Sequence, residues 1–264
     1  MARTAESLGF ESFWCAEHPF IPVKSASRFP SSADGVIPET YAHFVDPFVA
    51  LACAAGATTR IKLGTSIVLV PERHPLLLAK EVSTLDHFSG GRFLFGIGAG
   101  WLREETEIMG GDFDHRWTQT RESVLAMKEL WTKPEAEFHG TYYNFPAVKS
   151  YPKPAQKPYP PVLLGGAKNV LQRVVAWGDG WLPTGAITPE RVRESRATLD
   201  ALAKEARRDP KGISISVHGQ SADRELVQRL LDAGANRVVI RPATMQTDAD
   251  MGKELTRIAD AVLR

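Results

Sequence analysis

The stretch RFLFGIGAGWLREE, residues 92–105, decides the fold. A β-rich run, Arg92 to Phe95, leads into glycines at every second position, Gly96, Gly98 and Gly100, and then Trp101. The glycines suggest the dinucleotide fingerprint G-x-G-x-x-G, but its sixth position is Trp101. That fingerprint also opens its domain, with an acidic residue about 20 positions further on. Here several strand and helix patterns come first. The glycines therefore belong to a later strand of a repeating α/β fold, where an uncovered backbone lets another group approach closely.

Outward from this stretch, β-rich runs lie near 11–16, 61–69, 92–97, 161–165, 180–183, 213–217 and 237–241. Helical patterns fall near 1–8, 45–57, 75–88, 117–131, 168–177, 189–208, 222–233 and 248–263. Such alternation predicts parallel strands joined by helical crossovers. Residues 134–160 break the rhythm, because EFHGTYYNF followed by PKPAQKPYPP reads as a hairpin and a proline-rich return. The expectation is one domain over 1–264 with this excursion. Seven strands are one short of a (β/α)8 TIM barrel, and a missing strand leaves two open edges. A truncated or misassigned start that removes the first strand is the expected reason. A doubly wound sheet, which tolerates seven strands, is the alternative.

The bulk composition narrows the partners. Lys and Arg number 32 against 31 acidic residues, a net charge of +1, so no basic face for nucleic acid or an anionic membrane is expected. No apolar run approaches the roughly 20 residues of a membrane span, and Glu6 interrupts any leader-like start. A cytoplasmic location, a small-molecule substrate and a second copy of the chain are the expectations. The two cysteines, Cys15 and Cys53, lack metal-ligand spacing and read as small core residues. No metal is expected.

In a barrel the chemistry gathers just after each strand. His18, preceded by Glu17, follows the first strand, and a histidine beside a carboxylate suits acid-base work; an ordinary loop histidine has the same spacing. Gly64-Thr65-Ser66-Ile67 places small residues where a strand can bulge. Ala99, Gly100 and Trp101 end the opening stretch. Gly165 and Gly166 end a strand at a helix start, which suits a phosphate as well as it suits a plain turn. Of the aromatics near these ends, Trp14, Phe20, Trp101, Trp177 and Trp181, Trp101 is the best candidate for a cofactor wall, since it follows a glycine turn.

Residues 70–105, VPERHPLLLAKEVSTLDHFSGGRFLFGIGAGWLREE, and residues 5–18, AESLGFESFWCAEH, resemble the luciferase-like flavin and deazaflavin oxidoreductases, especially the members that use coenzyme F420. Weaker likeness runs through FHGTYYNF, PPVLLGG, AWGDGWLP and LLDAGANRVVI, nearly the whole chain. The resemblance implies a luciferase-like (β/α)8 barrel with the cofactor ring at the carboxyl ends of its strands. It implies a non-prolyl cis peptide at Ser66-Ile67 behind the ring, His18 near the transferred hydride, Ala99, Gly100 and Trp101 beside the ring, and Gly165 and Gly166 on the cofactor phosphate. Glu17, often aspartate in the family, would orient His18. Trp101 stands where the family's sugar-phosphate dehydrogenases carry a catalytic glutamate, which argues against such a substrate. The implied activity is F420-dependent hydride transfer to or from a small organic substrate, in a homodimer. FMN-dependent monooxygenation is the alternative, and a flavin-binding or truncated barrel without turnover is the alternative of another class.

Overall fold

The computed structural model describes residues 1–166, 168–243 and 247–264. Helix α1 (Ala2–Leu8) precedes strand β1 (Ser12–Cys15), α2 (Pro47–Ala57), β2 (Lys62–Thr65), β3 (Val68–Leu69) and α3 (Pro75–Ser89). Strand β4 (Phe93–Gly98), α4 (Arg103–Ile108), α5 (Arg116–Thr132) and the hairpin β5 (Ala136–His139) and β6 (Asn144–Val148) follow. The last part holds β7 (Val162–Leu164), α6 (Val170–Trp177), β8 (Gly180–Trp181), α7 (Pro189–Glu205), β9 (Ser214–Gln220), α8 (Arg224–Asp232), β10 (Arg237–Ile240) and α9 (Asp248–Val262). The helix starts follow local chemistry: Asp46 accepts from Val49 N at 2.9 Å ahead of Pro47, and Thr188 accepts from Arg191 N ahead of Pro189.

The strands form one parallel sheet in the order β1-β2-β4-β7-β8-β9-β10, with β3 also on β4. This is a nearly closed barrel with its helices outside, and the doubly wound alternative is excluded because the strand order never reverses. The run at 61–69 is two short strands, because pairing stops at Ser66-Ile67 and resumes at Val68. The excursion is an antiparallel hairpin, followed by cis prolyl bonds at Tyr151-Pro152 and Lys157-Pro158. Among the described residues β1 and β10 share no backbone pairing. Glu11, just before β1, joins them instead, with ion pairs to Arg237 at 2.6 Å and to Lys62 at 2.8 Å. Burial pushes the Glu11 carboxyl up, but hydrogen bonds from Arg237 and Lys62 outweigh it and hold the pKa at about 2.

Alternation along β4 explains the opening stretch. Phe93, Phe95 and Ile97 point outward into the main core under the helices, each fully buried, and each phenyl ring stabilises the fold by roughly 2–3 kcal/mol. Leu94 points inward and packs with Leu163, Leu182, Trp14 and Ile67 in the barrel interior. Gly96 and Gly98 occupy the next inward positions, where no side chain fits. A Cβ on Gly96 would lie 1.8 Å from Thr65 O, and one on Gly98 would lie 2.0 Å from Ile67 Cδ1. These two glycines make room for the protein's own atoms.

Cys53 departs from its expected core position. It lies exposed on α2, a helix apolar on nearly every side, so its outward face carries small apolar residues as well. Among the described residues no helix is long and apolar enough to cross a membrane.

Candidate active site

The carboxyl ends of β1 to β4 and β7 bring most of the candidate residues together. After β1 the chain stays extended, so consecutive side chains diverge. Glu17 turns toward β3 and α3: its Oε2 accepts from Leu69 N at 2.7 Å and its Oε1 from Arg73 Nε at 2.8 Å. Arg73 also binds Asp46 at 2.8 Å and Glu81 at 3.1 Å, so one guanidinium holds three carboxylates. Burial pushes the Glu17 carboxyl up, opposed by Arg73. His18 turns the other way, and its Nδ1 lies 2.8 Å from Glu105 Oε2, with both residues buried. Glu105, not Glu17, is therefore the carboxylate that orients His18. The expected role of Glu17 fails because neighbours on an extended chain cannot face one another.

Glu105 lies on α4, a six-residue helix in a segment that reads as a loop by sequence. Its Oε1 is buried with no partner among the described residues. Around the His18 ring stand Tyr41, Trp101 and Phe44, with ring centroids at 5.2, 5.8 and 6.2 Å. Phe29 closes the group, 5.0 Å from Tyr41 and 5.5 Å from Trp101. Trp101 thus lines a wall over His18, and residues 19–46 supply the other rings.

Beside this wall the Ser66-Ile67 peptide is cis. Ser66 Oγ is buried and makes no hydrogen bond among the described residues. Ile67 lies against Gly98 and against Gly165, where a Cβ would be 3.2 Å from Ile67 Cγ2. Ala99 is buried, and Gly100 turns the chain with φ 79°, its carbonyl accepting from Arg116 Nε at 3.1 Å. Gly166, with φ 126°, stands against Trp117, over which Arg173 sits 4.3 Å from the ring centroid. Among the described residues neither Arg116 nor Arg173 pairs with a carboxylate; both bond to main-chain carbonyls. Burial lowers the pKa of each guanidinium, and a neighbouring arginine lowers it further, Arg103 for Arg116 and Arg116 for Arg173. Ala167 lies outside the described residues.

Other candidates stand elsewhere. Trp177 and Trp181 are core residues, and Trp14 fills the barrel interior near His218, 6.4 Å between centroids. His218, half-buried on β9, is pushed down to about 4 by burial and then by Arg241, which favours its neutral form. Among the described residues no cluster of three or more His, Cys, Asp or Glu is placed to hold a metal ion. A cavity of about 260 Å³ at the opposite, amino end of the strands is lined by Lys62, Arg92, Gln156, Ser214 and Arg237, far from these groups.

A parallel barrel with its polar machinery at the strand carboxyl ends defines an α/β-barrel enzyme class. Residues 1–245 match the luciferase-like monooxygenase family model, and the chain belongs to that family. It is 40% identical over 186 residues to an uncharacterized protein of Mycobacterium tuberculosis (strain ATCC 25618 / H37Rv), covering 69% of this chain and 66% of that relative. An F420-dependent glucose-6-phosphate dehydrogenase of Amycolatopsis mediterranei is 29% identical over 187 residues, 69% of this chain and 51% of that protein. An FMNH2-dependent dimethylsulfone monooxygenase of Pseudomonas putida is 28% identical over 165 residues, 61% of this chain and 44% of that one. Two solved structures share the fold: monooxygenase RslO1 of Streptomyces bottropensis (TM-score 0.78, 21% identity, 99% of this chain and 90% of that one), and an F420-dependent secondary alcohol dehydrogenase (TM-score 0.76, 18% identity, 99% and 93%). Relatives with F420 and relatives with FMN thus both occur around this oxidoreductase and monooxygenase family.

Proposed function

We propose that this chain is an F420-dependent oxidoreductase that moves a hydride between the deazaflavin and a small organic substrate. The observation that carries the reading is His18: a buried imidazole, fixed at Nδ1 by Glu105, under an aromatic wall and beside the Ser66-Ile67 bulge. The residues present fit the cofactor. Ser66 Oγ is an orphaned hydroxyl at the bulge among the described residues, and Arg116 and Arg173 leave positive charge uncompensated near Gly166. A planar ring with a phosphate-bearing tail matches that set.

Coenzyme F420 supplies or accepts the hydride when bound. The chain does the rest. Ser66, Ile67, Ala99 and Gly100 would support the ring, Gly166 would offer its main-chain N–H to the phosphate beside Gly165, whose own N–H is held by Ile97 O at 2.8 Å, and the two arginines would neutralise it. His18 holds or takes the proton at Nε2, the ring atom left open by the Nδ1 contact with Glu105. Phe29, Tyr41, Phe44 and Trp101 exclude water from that proton, which strengthens every charge interaction inside. Parallel titrations test the cofactor. F420 is expected to saturate at micromolar levels and stay with the protein through gel filtration. Saturation by FMN alone would assign the chain to flavin monooxygenation instead, and binding of neither would support a barrel without turnover.

A second copy of the chain is the proposed partner. Helix α2 is apolar on nearly all sides, which normally marks a helix covered on both faces. Val49 on α2 and Leu77 and Phe88 on the neighbouring α3 are 66%, 62% and 76% exposed in the single chain. Sedimentation is expected to show a dimer that Leu77→Lys dissociates; a monomeric wild type at micromolar concentration would remove the proposal.

A further inference from the structure

Behind His18 the site holds more negative charge than it can carry. Glu105 presents Oε2 to His18 and leaves Oε1 buried without a partner. Glu72, in the single turn between β3 and α3, is buried in the same place. Its Oε1 accepts a hydrogen bond from Thr106 Oγ1 at 3.0 Å, and its Oε2 has no partner among the described residues. Glu105 and Thr106 are consecutive on α4, so one short helix holds both the carboxylate on His18 and the hydroxyl on Glu72. Gly100 packs above, where a Cβ would come within 3.5 Å of Glu72 Oε1. The charged groups that face Glu72 are Glu105 from α4, Glu17 from the end of β1, and Arg73 from its own turn. Arg73 is already committed to Glu17, Asp46 and Glu81. Among the described residues no other Lys or Arg pairs with the carboxyl of Glu72 or Glu105.

Two neighbouring buried carboxyls without a cation of their own resist ionising together near neutral pH. The geometry points to Glu72 as a positioning residue: a buried carboxyl held neutral, so that the single negative charge of the pair stays on Glu105 and fixes His18. This rests on the reading of His18 given above, but concerns Glu72 and Glu105 themselves. When Glu72 ionises, a second charge appears beside Glu105. The charge facing His18 then changes, without any movement of His18 itself. Burial first, then the Glu105 charge, and to a lesser degree Glu17, push Glu72 up to about 8, against the opposing Thr106 hydrogen bond and Arg73.

The test needs no cofactor. Infrared spectra of the protein across pH 6 to 9 are expected to show a protonated-carboxyl stretch that disappears near pH 8. Glu72→Gln, which keeps the acceptor for Thr106, is expected to abolish that band. Glu105→Gln keeps a hydrogen-bond partner for His18 but removes the charge, and is expected to move the titration down by about one pH unit or more. That displacement measures the coupling of Glu72 to Glu105, whereas a merely structural Glu72 would leave the pH profile of kcat unchanged by Glu72→Gln. Stability carries the same sign. A carboxyl raised from 4.5 to about 8 on folding adds stability fully present below about 4.5 and lost as pH rises through about 8. The denaturation midpoint of the wild type is expected to fall across that window, and that of Glu72→Gln to fall less. The wild-type pH profile of kcat is expected to bend near the infrared midpoint, and the bend to vanish in Glu72→Gln. A band that is absent, or one whose midpoint ignores Glu105→Gln, would overturn the assignment. Failure of F420 to bind would leave these spectra unchanged, so the two readings fail separately.

Discussion

Replacing His18 by asparagine is expected to lower turnover by about two to four orders of magnitude and to leave cofactor affinity within about twofold. Asparagine is chosen because its side-chain amide can donate to Glu105 in place of Nδ1. His18→Ala would instead leave the buried Glu105 charge without any partner, and such a loss costs on the order of 3–5 kcal/mol. Asparagine cannot hold and release a proton at the position of Nε2. A steady-state assay beside a binding titration separates the two effects: kcat falls while the dissociation constant holds. Equal turnover in both proteins would remove His18 from the chemistry and leave it as a packed polar residue under the aromatic wall.

The second large effect lies in the barrel interior. Gly96→Ala is expected to destabilise the fold by about 3 kcal/mol, the upper part of the range for overpacking a core. The added methyl meets the Thr65 carbonyl oxygen at 1.8 Å and Leu182 Cδ2 at 2.6 Å. Leu182 can turn away, but the carbonyl is main chain. It belongs to the residue whose own hydroxyl donates to Gly96 O at 2.7 Å, so strand β2 would have to leave β4. In a chain of this size that corresponds to a fall in Tm of roughly 6–12 °C. Gly56→Ala is the matched control, since its Cβ meets nothing within 4 Å in the last turn of α2. It is expected to stabilise by up to about 1 kcal/mol, the usual glycine penalty in a helix. Thermal melts of the two variants with opposite signs would establish that the interior glycines are steric requirements of the barrel.

The barrel was legible in the sequence because each crossover carries its own signal. Strand runs alternate with helical patterns, and capped starts such as Asp46-Pro47 and Thr188-Pro189 mark the change from one to the next. Gly96 and Gly98 were read as openings toward a ligand. They open toward Thr65, Ile67 and Leu182, contacts between residues far apart in the chain that no local pattern encodes. The orienting carboxylate was harder. Glu105 lies in the run REETEI, which has the composition of a solvated face, and a six-residue helix is too short to show a buried stripe. Its burial is set by His18, 87 residues away. Glu17 drew attention by adjacency, yet adjacency on an extended chain separates side chains. Glu72, inside VPERHP, carries no local signal of burial either. Alanines around Cys53 suggest a core residue, but α2 is apolar outside as well as inside.

The most direct measurement of the central claim is a crystal structure of the protein with coenzyme F420. The deazaflavin ring is expected against the Ser66-Ile67 bulge, with its phosphate near Gly165 and Gly166 and with His18 Nε2 facing the space before the ring's hydride-carrying carbon. A ring seated elsewhere, or one whose reactive face is closed off from His18, would contradict the account.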